Sequence, residues 1–169
     1  MQIQEGRRDF QFQSKSQASG RGLLGGGSTK LANSTTSSEA IGSTLGGNTI
    51  VLDAKRDISI KGSTLIADNN ISLLADRDIS ITAAQNTSSS EAFKEVKKSG
   101  LMGSGGFGVF IGSKQQSTDQ KQQNVTNTGS TIGSIGGDVT LIAGNTAKVQ
   151  GSAILTPSVG GDITIIGKT

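Results

Sequence analysis

Ile50-Val51-Leu52-Asp53-Ala54-Lys55-Arg56-Asp57-Ile58-Ser59-Ile60 returns as Ile71-Ser72-Leu73-Leu74-Ala75-Asp76-Arg77-Asp78-Ile79-Ser80-Ile81, every matched position moved by 21. In the first copy Ile50, Leu52 and Ala54 alternate with Val51 and Asp53, the period-two pattern of a strand with one buried face. Lys55-Arg56-Asp57 interrupts as a polar corner, and Ile58 and Ile60 point inward from a second short strand. Gly62-Ser63 turns the chain again, Leu65 and Ala67 supply a third inward face, and Asp68-Asn69-Asn70 closes the circuit. Three short strands joined by corners and repeated at a fixed period, with no helical pattern between them, predict a solenoid. Parallel strands joined by crossovers are overwhelmingly right-handed, so the expected fold is all-β, a right-handed parallel β-helix of about 21 residues per coil. Its structural ladder is Ile50 on Ile71, Leu52 on Leu73, Ile58 on Ile79 and Ile60 on Ile81, each buried branched side chain contributing roughly 1.5 to 3 kcal/mol.

Working outward, Val139-Thr140-Leu141-Ile142-Ala143 and Val149 to Leu155 form a third copy at an offset of 89 from the first, and Asp162-Ile163-Thr164-Ile165-Ile166 a truncated fourth. Between the copies lie segments that break the period. One runs from Ser90-Glu91-Ala92-Phe93 into Gly100-Leu101-Met102-Gly103-Ser104-Gly105-Gly106-Phe107-Gly108-Val109-Phe110-Ile111-Gly112, then into a polar tract, Ser113 to Thr128. The glycine cluster reads as a turn joining two strands, with Phe107, Val109 and Ile111 on one face of the second. A shortened version, Phe10-Gln11-Phe12 followed by Gly22-Leu23-Leu24-Gly25-Gly26-Gly27, precedes the first coil. The organisation expected is a shortened hairpin and polar insertion over 1–40, coils over 41–84, a second hairpin and polar insertion over 85–128, and coils over 129–169, all one continuous solenoid.

Composition narrows the chemistry. The 169 residues contain no Cys, His, Trp or Tyr, which excludes disulfides, His or Cys metal sites, imidazole catalysis and Cys nucleophiles. Gly46-Gly47-Asn48, Gly136-Gly137-Asp138 and Gly160-Gly161-Asp162 share only the opening of the calcium-binding Gly-Gly-x-Gly-x-Asp repeat, so no metal or cofactor is expected. The coil acids Asp53, Asp57, Asp76 and Asp78 are accounted for by corners and outward faces, and no enzymatic activity is expected. The net charge is +3, and its basic excess lies outside the coils, in residues 1–45 and 85–127. No aromatic-and-basic pattern of a nucleic-acid binder appears in the coils. The opening Met1-Gln2-Ile3-Gln4-Glu5-Gly6-Arg7-Arg8 has no apolar run, so an export signal would belong to sequence beyond this stretch.

The alternation of Lys98-Ser99-Gly100-Leu101-Met102-Gly103 and the apolar run to Ile111 with Gly129 to Gly144 and Ala75-Asp76-Arg77-Asp78-Ile79-Ser80-Ile81-Thr82-Ala83-Ala84 resembles the haemagglutinin repeats of bacterial filamentous haemagglutinins and contact-dependent growth inhibition effectors. That resemblance implies a filament segment of a large exoprotein, an adhesin or toxin-delivery protein, exported by an outer-membrane transporter partner in two-partner secretion and displayed on the cell surface. In growth-inhibition members it further implies carriage of a C-terminal toxin across a target cell's outer membrane.

The candidate membrane or partner contact comprises Leu101, Met102, Phe107, Val109, Phe110 and Ile111. This run is too short for a spanning helix but has the length of a transmembrane strand. The alternative is that these residues fold back over one side or end of the coils. A module binding glycans or another cell's surface is the competing function. Self-association through open coil ends is also expected, because a strand such as Ile163 to Ile166 leaves an edge prone to pairing.

Overall fold

The computed structural model describes residues 1–103, 109–157 and 160–168, with the side chains of residues 102, 103, 109 and 110 outside that description. Every regular element among the described residues is a strand: β1 (Gln2–Ile3), β2 (Gly6–Gly22), β3 (Gly25–Ile41), β4 (Thr44–Gly47), β5 (Ile50–Ala54), β6 (Ile58–Lys61), β7 (Thr64–Ala67), β8 (Ile71–Ala75), β9 (Ile79–Thr82), β10 (Ala84–Gly103), β11 (Val109–Thr128), β12 (Thr131–Ser134), β13 (Val139–Ala143), β14 (Ala147–Gln150), β15 (Ala153–Leu155) and β16 (Ile163–Ile166). They form four four-stranded sheets, ordered β5-β8-β13-β16, β1-β6-β9-β14, β4-β7-β12-β15 and β2-β3-β10-β11. The chain divides into two compact units. Met1–Arg8, Ser38–Asn86 and Val125–Thr169 make the first, and Asp9–Ser37 with Thr87–Asn124 the second.

The first unit holds the three sheets of short strands, all paired in parallel, and the 21-residue sequence offset is the pairing register of β5 with β8 and of β6 with β9. Ile50 faces Ile71, Leu52 faces Leu73 and Ala54 faces Ala75, while Ile58 faces Ile79 and Ile60 faces Ile81. The third copy continues the columns across its long insertion, with Val139 on Ile71 and Leu141 on Leu73, and β16 follows with Ile163 on Val139 and Ile165 on Leu141. One hydrophobic cluster joins the three sheets, with Leu65 and Ala67 of β7 and Ile132 of β12 completing it. Buried branched side chains fill it because a parallel strand with a covered inner face offers no partner for polar groups.

Successive strands of one turn are joined by corners whose polar groups bond to the corners of neighbouring turns. The Arg77 Nε lies 3.1 Å from Asp57 Oδ1 of the preceding turn. Asp78 Oδ1 accepts from Asn145 Nδ2 at 2.9 Å and from the Thr146 amide at 3.0 Å. Asn69 Nδ2 donates to Asn48 Oδ1 at 2.6 Å, and the Asp162 amide to Asp138 Oδ1 at 2.9 Å. These side chains tie each corner to the corner stacked on it, Asp78 and Asp138 through a backbone amide of the next turn and Asp57, Asn48 and Asn69 through side chains.

A serine ladder at the corner between β6 and β7 gives no sign of itself in the hydrophobic pattern. Gly42-Ser43, Gly62-Ser63, Gly129-Ser130 and Gly151-Ser152 occupy equivalent corners of successive turns. The Ser43 amide donates to Ser63 Oγ at 3.3 Å, the Ser63 amide to Ser130 Oγ at 3.2 Å and the Ser130 amide to Ser152 Oγ at 3.2 Å. Each hydroxyl donates in turn to the carbonyl that enters the corner: Ser63 to Lys61 and Ser130 to Thr82, both at 2.8 Å, Ser43 to Gln4 at 2.7 Å and Ser152 to Gln150 at 3.2 Å. Where the corner is tight the glycine is left-handed, φ 55 at Gly62 and φ 59 at Gly151, a conformation only glycine adopts at little cost. At the other two corners the chain departs on an insertion, and the serine closes the corner across 39 positions for Ser43 and 48 for Ser130.

Leu73→Ala is expected to cost about 2 to 5 kcal/mol, because Leu73 is fully buried between Leu52 and Leu141; the exposed Val51→Ala should change stability by no more than about 0.5 kcal/mol. Ser130→Ala is expected to cost about 1 to 3 kcal/mol, since it strips the buried Ser63 amide of its acceptor and removes one of the two donors to the Thr82 carbonyl, which keeps the Gly62 amide. Urea unfolding followed by circular dichroism measures all three, and a Ser130→Ala midpoint equal to wild type would exclude a structural role for the ladder.

Candidate functional site

Both insertions leave the same corner and are anchored to one another there. Arg7 Nη1 donates to Ser38 Oγ at 2.8 Å and Nη2 to the Gln85 carbonyl at 2.9 Å. The Ala40 amide donates to Asn86 Oδ1 at 2.7 Å, and Asn86 Nδ2 to Thr128 Oγ1 at 3.0 Å. One asparagine thus links β3, β10 and β11.

The second unit is built from the outer parts of these strands. A two-residue link, Leu23-Leu24, joins β2 to β3, and so short a link can only reverse the chain. Ser113 to Thr128, read from sequence as a polar tract, is strand along its whole length, and so is the polar stretch that follows Lys30 as far as Ile41. Ser, Thr and Gln carry no alternating apolar signal, yet they sit readily on a sheet whose backbone is paired and whose faces are wet. As β3 advances from Gly25 to Gly27, the facing residue of β10 falls from Ser99 to Lys97, so the two hairpins meet in antiparallel fashion.

Glycine makes that meeting close. Gly100 stands at φ 143, where a Cβ would come within 2.6 Å of the Gly25 Cα, and a Cβ on Gly25 would come within 2.5 Å of the Ser99 carbonyl oxygen. The Leu101 amide then donates to the Leu24 carbonyl at 3.2 Å. The seam brings Leu101 beside the Leu23-Leu24 link.

Of the sequence-expected contact residues, Leu101 is 47% exposed and Ile111 85% exposed. Phe107 lies outside the described residues, and Met102, Val109 and Phe110 are described only as strand backbone. Leu23 and Leu24 were absent from that expected set, yet Leu23 is fully exposed and Leu24 is 70% exposed. Their signal was available in the paired leucines between glycines, a turn that presents apolar side chains to solvent. No helix among the described residues is long and apolar enough to cross a membrane.

Behind the leucines a groove of about 550 Å³ is lined by Arg21, Lys97, Lys98 and Lys114 with Gly26 and Ser99 among its other residues. Lys97 lies 3.2 Å from Glu95 Oε1. Arg21, Lys98 and Lys114 make no ion pair among the described residues.

The chain matches the family described as hemagglutinin repeat over residues 24–167. It is 35% identical over 161 residues to a tRNA nuclease CdiA of Escherichia coli, covering 94% of this chain and 5% of that protein. It is 38% identical to a Toxin CdiA of Yersinia pestis, covering 76% of this chain and 4% of the toxin, and 40% identical to a Deoxyribonuclease CdiA of Yersinia pseudotuberculosis, covering 68% and 10%. The chain therefore spans about a twentieth to a tenth of the length of these relatives. No solved structure matches it. Repeated aliphatic turns, glycine-rich hairpins and a match spanning nearly the whole sequence together place this chain in the haemagglutinin repeat family, in the repeat region of CdiA-type two-partner secretion proteins.

Proposed function

We propose that this chain is a structural filament segment of a large secreted bacterial surface exoprotein engaged in contact-dependent toxin delivery or adhesion. Its three parallel sheets wind as a right-handed β-helix, one solenoid over 41–84 and 129–169 with insertions over 1–40 and 85–128. The observation that carries this reading is the column Leu52, Leu73, Leu141 and Ile165, in which each strand pairs in register with the next copy of itself. A unit that stacks on its own likeness extends by repetition, and length is what a filament requires.

The relatives named for a tRNA nuclease, a 16S rRNA endonuclease and a deoxyribonuclease all share this segment. A segment common to proteins with three different reactions does not select the reaction, which supports a carrier role and argues against catalysis in this chain. Membership of the two-partner secretion proteins supports export through an outer-membrane transporter partner and residence outside the cell. The exposed Leu101 and Ile111 support contact with a target-cell membrane through the apolar hairpins.

Two experiments test this. Tandem duplication of Ile50 to Asn70 inserts one further 21-residue turn, and the variant is expected to fold with a urea midpoint no lower than wild type; loss of folding would rule out a stackable unit. For the membrane contact, Phe107→Ser with Ile111→Ser is expected to reduce co-sedimentation with liposomes at least tenfold, and unchanged binding would end that assignment.

A further inference from the structure

We propose that the β2–β3 link and the adjoining residues of β10 and β11 form a two-part dock for the phosphate headgroups of an anionic lipid surface, an inference that rests on the membrane-contact reading above and supplies its chemistry. The apolar part is Leu23 and Leu24 in the β2–β3 link with Leu101 and Ile111. The charged part is Arg21, Lys98 and Lys114, all solvent-exposed, lining one groove and unpaired with any carboxylate among the described residues. Lys97 shares the groove but is held by Glu95, which leaves three cations to bind an anion.

Spacing joins the two parts. Arg21 stands two residues from Leu23, Lys98 three from Leu101 and Lys114 three from Ile111. At about 3.4 Å per strand residue, every cation trails its apolar neighbour by about 7 to 10 Å. That is the depth, roughly 5 to 10 Å, to which an interfacial element buries its apolar face below the headgroups. With the leucines at the acyl boundary, the guanidinium and ammonium groups reach phosphate level. A guanidinium pairs phosphate in bidentate fashion, and the ammoniums act as point charges. A soluble polyanion would use the cations alone and would leave the leucines with no partner.

The geometry also separates the two contributions. The charges select anionic over neutral surfaces, since a cation near such a surface gains affinity that salt screens. The leucines add affinity for either kind of surface.

The test is flotation of the full chain with phosphatidylcholine vesicles and with vesicles containing phosphatidylglycerol. Wild type is expected to bind the anionic vesicles about 100-fold more tightly, about 3 kcal/mol, and 1 M salt should erase the difference. Arg21→Gln, Lys98→Gln and Lys114→Gln combined should abolish the preference while the urea midpoint stays at the wild-type value. Leu23→Ser with Leu24→Ser should weaken binding to both vesicles by the same factor. Equal binding of wild type to the two vesicles, or a preference that survives in the triple variant, overturns the headgroup dock and leaves the membrane contact standing. Absence of binding to any vesicle overturns both, and retention on heparin through the same three cations without flotation overturns the lipid in favour of a sulphated chain.

Discussion

The structure depends on parallel pairing of strands with their own repeats at a register that never slips. A shift by one residue would turn every inward aliphatic outward, so Leu52, Leu73 and Leu141 hold one another in place as much as the hydrogen bonds between their backbones do. Burial deepens toward the middle: Ile71, Leu73, Ile79 and Ile81 are sealed, whereas Ile163 and Ile165 on the outermost strand are about half exposed. A turn gains most of its stabilisation from the turns on either side, as in any one-dimensional array.

That dependence makes the insertions unexpected at first sight, because each interrupts the chain between two strands that must stay in register. The serine ladder resolves the conflict. The Ser130 hydroxyl bonds the Thr82 carbonyl as the Ser63 hydroxyl bonds that of Lys61, although the first pair is separated by a whole hairpin and the second by one glycine. A corner closed by a side chain is indifferent to how much chain departs from it, and loop-closure entropy grows only slowly with length. Function can therefore be placed in the insertion without disturbing the columns.

In the insertions the usual logic of burial is reversed. Their strands are held by backbone pairing and by root contacts such as Asn86 with Ala40 and Thr128, and they leave large apolar side chains exposed, Phe10 and Phe12 along β2 and Leu23 and Leu24 at the β2–β3 link. Surface ion pairs such as Lys121 with Glu91 add little stability in water. Polar side chains predominate along these long strands, while leucine between glycines and cations a few residues away give the β2–β3 link and its neighbours a distinct chemistry.

Sequence by itself determined the aliphatic strands of the turns and which of them pair, because a period of 21 with alternating aliphatics leaves little choice of which residue faces which: Ile58 could fall only on Ile79. It also marked the apolar glycine-rich segments as insertions. What required tertiary structure was everything carried by residues without a hydrophobic rhythm. The polar tracts of β3 and β11 are strands because neighbours supply their hydrogen bonds, a fact that no local propensity of Ser, Thr and Gln encodes. The Gly-Ser corners are legible as dipeptides, but their union into a ladder depends on stacking four turns. The grouping of Arg21, Lys98 and Lys114 around one groove brings together residues up to 93 positions apart, and only the close approach permitted by Gly25 and Gly100 makes them neighbours.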